Sequence, residues 1–149
     1  MPNARIRLCL GFVAAVLSVL IFHQGMWEAL HLAGMMPPAY PTNPVPPFGV
    51  PLILDLCFWG GVWGAVFGLV LPALPRAPMW VLGLGLGIAA ALTGIFIVPL
   101  IKRLPVSHNL AAGVFERSFL INLCWGIGVG LILPLLLPRG SSRRRSRIA

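Results

Sequence analysis

The chain has 149 residues, of which 58% are hydrophobic and only 9% are charged, and its mean hydropathy is +0.94. Soluble domains carry about 25% charged residues, so this chain lacks the charge to cover a water-facing surface. A membrane-spanning helix needs about 20 apolar residues, and four segments of that kind can be drawn. The composition therefore predicts an all-α integral membrane protein, a small bundle of four transmembrane helices.

The net charge of +8 does not indicate a nucleic-acid-binding protein. A basic tail beside a span sets orientation and contacts anionic lipid headgroups, and no nucleic-acid-recognition fold remains outside the spans. We therefore expect residues 1–138 to form the bundle and residues 139–149 to form a disordered cytoplasmic tail. The tail holds five of the eleven basic residues, namely Arg139, Arg143, Arg144, Arg145 and Arg147.

The first predicted span, residues 8–30, ends in a group of polar residues. His23, Gln24, Glu28 and His31 follow an apolar run and lie within nine residues of one another. At about 100° per residue on a helix, they and Trp27 fall within an arc of roughly 140°. Trp27 is also a residue expected at a membrane interface. We expect the rest of the bundle to hold, cover or pair with this polar face.

A proline-rich loop, residues 35–50, separates the first two spans. Residues 35–51 include seven prolines and no charged residue. Proline has no N–H and a fixed φ, so the composition excludes a helix and predicts an extended, polyproline-like loop. Such a loop is either a stiff connector or a ligand for a domain that recognises proline-rich segments.

The other predicted spans, residues 51–71, 79–98 and 114–137, carry small residues at a spacing of four. Residues of this size and spacing let two helices approach closely, so we expect the stripes to be helix-packing faces. They are Gly60, Gly64 and Gly68 in the second span, Gly83, Gly87 and Ala91 in the third, and Gly126 and Gly130 in the fourth.

The basic residues predict the orientation. If both termini are cytoplasmic, the inner side holds eight of the eleven basic residues (Arg5, Arg7, Arg76 and the five of the tail) and the outer side holds the remaining three. This asymmetry follows the positive-inside rule, so we expect a bacterial inner-membrane protein with both termini inside. The same topology brings every acid, every histidine and three cations to the outer end, together with Gln24: His23, Gln24, Glu28, His31, Asp55, Lys102, Arg103, His108, Glu116 and Arg117.

This predicted outer cluster has three acids and three cations, which favours ion pairs across the mouth of the bundle because ionisable groups near hydrocarbon need partners. A mononuclear metal site of His23, Glu28 and His31 is an alternative, and a b-type haem held by His23 and His108 is another. A di-iron centre would need a second Glu-x-x-His and further carboxylates. For no serine or cysteine does the sequence indicate a partner that could act as its general base. We therefore expect no catalytic residue and no cofactor.

Two motifs carry a resemblance to known proteins. FHQGMW with the following LH in the first span, the proline-rich loop, and FWGG-V-WG in the second span resemble a group of small uncharacterised bacterial membrane proteins with several spans. The resemblance covers the first half of the chain and implies the architecture, with no assigned activity.

The residues favour a binding or assembly module that packs with itself or with another membrane protein. The alternative is an oligomeric transporter or handling protein for a small solute or a metal ion, acting through the outer cluster. Four spans in 149 residues leave little room for a translocation path within one protomer, so this alternative requires an oligomer.

Overall fold

Four long helices make up the fold. The computed structural model describes residues 2–138, and of His108 the backbone alone. Each helix is long and apolar enough to cross a membrane, with hydropathy between 1.8 and 2.4 over its most apolar stretch. The predicted all-α bundle of four spans is confirmed, while the predicted tail lies outside the described residues. The helices are α1 (Ala4–Leu32), α2 (Leu52–Ala73), α3 (Met79–Ile101) and α4 (Val114–Leu136).

Two of the helices are longer than hydropathy indicates. α1 begins at Ala4 rather than at residue 8, because Asn3 Oδ1 accepts a hydrogen bond from the Ile6 amide at 2.9 Å and caps the first turn. α3 runs three residues past the predicted end at residue 98, through a π-helical stretch at Thr93–Ile97. Caps and backbone hydrogen bonds set a helix end, whereas hydropathy reads only its apolar part.

α1 and α2 pack backbone to backbone. A Cβ atom placed on Gly11 or on Gly64 would meet the carbonyl oxygen of the other residue, and one on Gly68 would meet the carbonyl oxygen of Arg7. A Cβ on Gly60 would lie 2.7 Å from the side chain of Val19. The glycine stripe of the second span therefore faces α1, which contributes a glycine of its own.

α3 and α4 form a second pair of the same kind. A Cβ on Gly83 would meet the carbonyl oxygen of Gly126 and lie 2.9 Å from the amide nitrogen of Gly130. A Cβ on Gly87 would meet the carbonyl oxygen of Asn122. The stripes of the third and fourth spans thus face each other within one protomer.

The two pairs join through α1 and α4. Ser18 Oγ donates to the Trp125 carbonyl at 2.6 Å, and Trp125 Nε1 donates to the Ala15 carbonyl at 3.1 Å. The next turn of α1, Val19–His23, is π-helical. α2 and α3 make little contact, and an apolar cleft of about 330 Å³ lies between them.

Two helix carbonyls that face a proline are bound by side chains. Pro72 cannot donate to the Gly68 carbonyl four residues earlier, and Arg7 Nε donates to that oxygen at 3.1 Å. Likewise Pro99 cannot donate to the Ile95 carbonyl, which accepts from Asn109 Nδ2 at 3.2 Å. In lipid a backbone group without a partner costs several kcal/mol, so these side chains let the prolines stand inside spanning helices.

The proline-rich loop folds back at its second half. β1 (Pro44–Val45) pairs antiparallel with β2 (Val50–Pro51), and the Gly49 amide donates to the Val45 carbonyl at 2.9 Å. The Leu52 amide then donates to the Asn43 carbonyl at 3.0 Å. The prediction of an extended loop is wrong over these residues, because the few N–H groups left between the prolines bind carbonyls only if the chain turns back.

Replacing Gly83 with alanine should destabilise the bundle by about 1–3 kcal/mol, because the new methyl group must displace the α4 backbone. Gly85→Ala is the matched control, since it lies two residues further along the same helix with nothing within 4 Å of a Cβ. The control should be neutral or slightly stabilising, because alanine has the higher helix propensity. Thermal unfolding in detergent measures both; equal stability would contradict the close α3–α4 contact.

Candidate functional site at the loop end of the bundle

The polar face of α1 binds the backbone of the proline-rich loop. The Tyr40 amide donates to Gln24 Oε1 at 2.7 Å, and the Ala39 amide donates to Glu28 Oε2 at 3.1 Å. Gln24 is fully buried. Side chains three and four residues apart share one helix face, which is why a single loop segment reaches all of them. We call the side chains that hold this segment the loop-binding cluster: Gln24, Trp27, Glu28, His31 and Arg117.

The same cluster also binds three carbonyl oxygens of the loop. Carbonyl oxygens only accept, so His31 carries a proton on Nδ1. Together these hydrogen bonds satisfy most of the backbone polar groups of the segment, which has few N–H groups of its own. The donors and their carbonyls are His31 Nδ1 to Met36 at 2.8 Å, Trp27 Nε1 to Pro37 at 2.9 Å, and Arg117 Nη1 to Met35 at 3.1 Å.

Tyr40 ends the bound segment. Its hydroxyl donates to the Leu20 carbonyl at 2.9 Å, and at the other end the Met35 amide donates to the Leu30 carbonyl at 2.9 Å. The segment therefore runs back along α1 from His31 towards Leu20. What this arrangement does chemically is to bind peptide groups and fix the position of an uncharged loop.

The expected ion pairs between acids and cations are wrong for the part of the chain that the structure describes, where no acid lies within 4.0 Å of a lysine or arginine nitrogen. Glu28 binds the Ala39 amide, and Arg117 binds a loop carbonyl. Glu116 Oε2 accepts from the Gly113 amide at 2.6 Å, at the start of α4. Backbone groups of the loops lie nearer to these side chains than opposite charges do.

The remaining residues of the predicted outer cluster do not join the loop-binding cluster. Asp55 is half-buried in the first turn of α2, where the helix dipole favours a carboxylate. Lys102 and Arg103 are exposed in the turn after α3. His108 lies in a short turn, Val106–His108, and its side chain is outside the described residues, as is the haem alternative that depends on it.

His23 lines a cleft of about 330 Å³ beside the loop-binding cluster. The ring is buried, with 7% of its surface exposed, and its Nδ1 lies 3.2 Å from Gln24 Nε2. The Gln24 oxygen already accepts from Tyr40, so the amide nitrogen of Gln24 faces the ring and donates to Nδ1. Neutral His23 therefore carries its proton on Nε2.

The mononuclear metal site is not assembled. Among the residues that the structure describes, no three His, Cys, Asp or Glu side chains come together in a way that could hold a metal ion. His31 Nδ1 and Glu28 Oε2 are directed to the loop backbone instead. His23 is bound to Gln24 and faces the cleft.

Sequence reasoning missed several side chains that hold the structure. Tyr40 appeared only as one residue of a proline-rich run, and Ser18 as one polar atom in an apolar one. A lone serine shortly before a polar group, and a tryptophan directly before a series of glycines (Trp125), are signals that could have indicated an interhelical hydrogen bond. Asn109 lies in a loop, and nothing in the sequence relates it to Pro99.

The comparisons with models of protein families, with curated proteins and with solved structures give no match for this chain. The resemblance of its first half to a group of small bacterial membrane proteins therefore stays a prediction. The function has to be argued from the arrangement of side chains at the loop end.

Amide hydrogen exchange tests the loop-binding cluster residue by residue. Glu28→Ala should accelerate exchange at the Ala39 amide, and Gln24→Ala should accelerate it at the Tyr40 amide, because each removes the acceptor. Losing such a bond costs about 0.5–1.5 kcal/mol, which is roughly a three- to tenfold change in local opening.

Glu28→Gln is the control, since its amide oxygen can still accept from Ala39, so exchange there should change little. If both amides exchange freely in the unmodified protein, the loop is not bound to α1 as described.

Proposed function

We propose that the protein is a binding and assembly module of the membrane, and that it contacts a second membrane protein, or a second copy of itself, through the proline-rich loop. One observation carries the proposal. The uncharged loop, held in its first half by the loop-binding cluster and in its second half by the pairing of β1 with β2, presents Phe48 at the turn with 87% of its surface exposed.

A fixed loop is suited to binding because the cost of ordering it has already been met on folding. Association otherwise loses about 0.5–1.5 kcal/mol for each mobile side chain that becomes ordered, and more for a mobile loop. Exposed aromatic side chains on such a surface are the residues that most often dominate the binding free energy. Phe48 has this character, and Tyr40, which is 54% exposed, lies in the same loop.

The glycine stripes support the same assignment indirectly. Each stripe packs against a helix of the same protomer, so Gly64, Gly68, Gly83 and Gly126 are not free for close contact with another protein. In membranes, helix association relies on such close approach. With these faces occupied, the loop is the more distinctive surface for a partner.

The proposal includes a location and an orientation. We place the protein in a bacterial inner membrane, with both termini in the cytoplasm and the loop outside, because eight basic residues against three then obey the positive-inside rule. The ends of the helices agree with a simple antiparallel order, since Arg7 of α1 contacts Gly68 of α2 and Met79 of α3 contacts Gly130 of α4.

Reporter fusions test the orientation. A reporter active only in the cytoplasm should work after the C-terminus and at Arg76, and should fail when inserted at Pro44. Equal activity at the C-terminus and at Pro44 would contradict both the orientation and the outer position of the loop.

Photo-crosslinking tests the loop as a contact surface. A photoreactive phenylalanine analogue at Phe48 should give a discrete protein adduct in cells, and the yield should fall when Gln24→Ala loosens the loop. Leu32 is the matched control position, since it is an apolar residue that is 80% exposed at the end of α1.

Co-expression of two tagged forms separates the partners, because an adduct that carries both tags is a second copy of the chain. Adducts to lipid alone, or the same protein adducts from Leu32 as from Phe48, would contradict the proposal. Phe48 would then be only an anchor at the membrane interface.

A further inference from the structure

We propose that the cleft lined by His23 binds the anionic head of an amphiphile. The cleft has a volume of about 330 Å³ and lies at the loop end of the bundle, where α1 and the first turns of α4 meet. Met36 of the loop closes one side. This ligand site is separate from the contact surface proposed for Phe48, which does not line the cleft.

His23 supplies a hydrogen-bond donor that the fold itself does not use. Its Nδ1 accepts from Gln24, so the ring proton is on Nε2, and the structure gives Nε2 no partner among the described residues. Every buried side-chain nitrogen or oxygen in that part of the chain does have a partner. Nε2 is therefore exposed at the wall of the cleft. The rest of His23 is buried, because only 7% of its surface is exposed and 93% is not.

The charge of the lining points to an anion. Among the residues that the structure describes, Arg117 is the only charged side chain that lines the cleft. Its Nη1 binds the Met35 carbonyl, and a guanidinium has further N–H groups that remain for a ligand. No acid lines the cleft among the described residues, and Glu28 and Glu116 bind the Ala39 and Gly113 amides.

Together, the donors match an oxyanion of one charge. His23 Nε2–H, the guanidinium of Arg117 and the hydroxyl of Ser118 all belong to the cleft lining. Hydrogen bonds from a cation to a carboxylate or phosphate oxygen are shorter and stronger than neutral ones, and the arginine fork fits both groups.

Apart from Asn122, the rest of the lining is apolar. Trp27, Leu56, Val114 and Ile121 form the walls beside these donors. Ligand sites of this size are commonly apolar with a few placed polar groups, and a volume of about 330 Å³ accommodates a head with the first part of its chain. The ligand class is thus an amphiphile whose head is a carboxylate or a phosphodiester, supplied by a fatty acid or by an anionic phospholipid.

Native mass spectrometry of the delipidated full chain in neutral detergent tests the site. Oleate, phosphatidylglycerol and phosphatidylcholine are titrated separately. One equivalent of oleate or of phosphatidylglycerol should bind more tightly than phosphatidylcholine, whose head has no net charge. Binding of oleate alone identifies the carboxylate source, and binding of phosphatidylglycerol alone identifies the phospholipid.

Two variants locate the binding. Arg117→Gln should weaken it about tenfold, the effect of one charge-assisted hydrogen bond, whereas Arg103→Gln, which removes the same charge from an exposed turn, should leave it unchanged. Ser118→Ala should weaken it as well, and it serves as the second variant because no hydrogen bond joins its side chain to the loop in the described structure.

The ¹⁵N resonance of His23 Nε2 gives a readout that a purely structural role would not move. It should shift when the bound anion is added and should stay unchanged with phosphatidylcholine. Equal binding of all three amphiphiles, equal weakening by Arg103→Gln and Arg117→Gln, or an unmoved Nε2 resonance would each overturn the proposal.

Discussion

The loop end of this protein is organised by a shortage of backbone donors. Residues 35–51 contain seven prolines, so the segment that caps the bundle has carbonyl oxygens in excess and few N–H groups to bind them. A backbone polar group that neither protein nor water binds costs free energy comparable to a lost hydrogen bond. Side chains of α1 and α4 supply the missing partners, which accounts for Gln24, Trp27, Glu28, His31 and Arg117 in an otherwise apolar chain.

The same constraint governs the interior of the bundle. Gly68 and Ile95 lie four residues before a proline, and each offers its carbonyl to a side-chain nitrogen from another part of the chain, Arg7 in one case and Asn109 in the other. Ser18 and Trp125 exchange hydrogen bonds with the backbone of the facing helix. In the part of the chain that the structure describes, polar side chains form hydrogen bonds mainly with backbone peptide groups and only rarely with one another.

This preference explains what the sequence could and could not predict. Hydropathy reports which residues lie in lipid, so the four spans were accessible, and the four-residue spacing of Gly64 and Gly68 or of Gly83 and Gly87 indicated where helices come close. Helical spacing also placed Gln24, Glu28 and His31 on one face. Spacing does not predict which segment packs on that face. The count of charges predicted that cations would lie there, whereas the structure has the loop backbone in that place.

The loop fold was missed for a related reason. Proline content predicts only the local conformation of the backbone. The pairing of Val45 with Val50 and the contact of Tyr40 with Leu20 depend on the path of the whole segment. Hydrogen bonds between residues far apart in sequence, such as Asn109 with Ile95, have no local signature. The cleft beside His23 likewise arises from four separate elements, namely α1, the loop, α2 and α4, and could not be predicted from any one of them.

The way α1 and α4 meet gives the chain a built-in order of assembly. α1 and α2 form one hairpin through their glycines, and α3 and α4 form the other, so each can close as soon as its second helix has been inserted. Arg117 belongs to the last helix made, however, and it binds the Met35 carbonyl near the start of the loop. The Ala39 and Tyr40 amides can therefore be bound by α1 before α4 is made, whereas the Met35 carbonyl gains its Arg117 partner only afterwards.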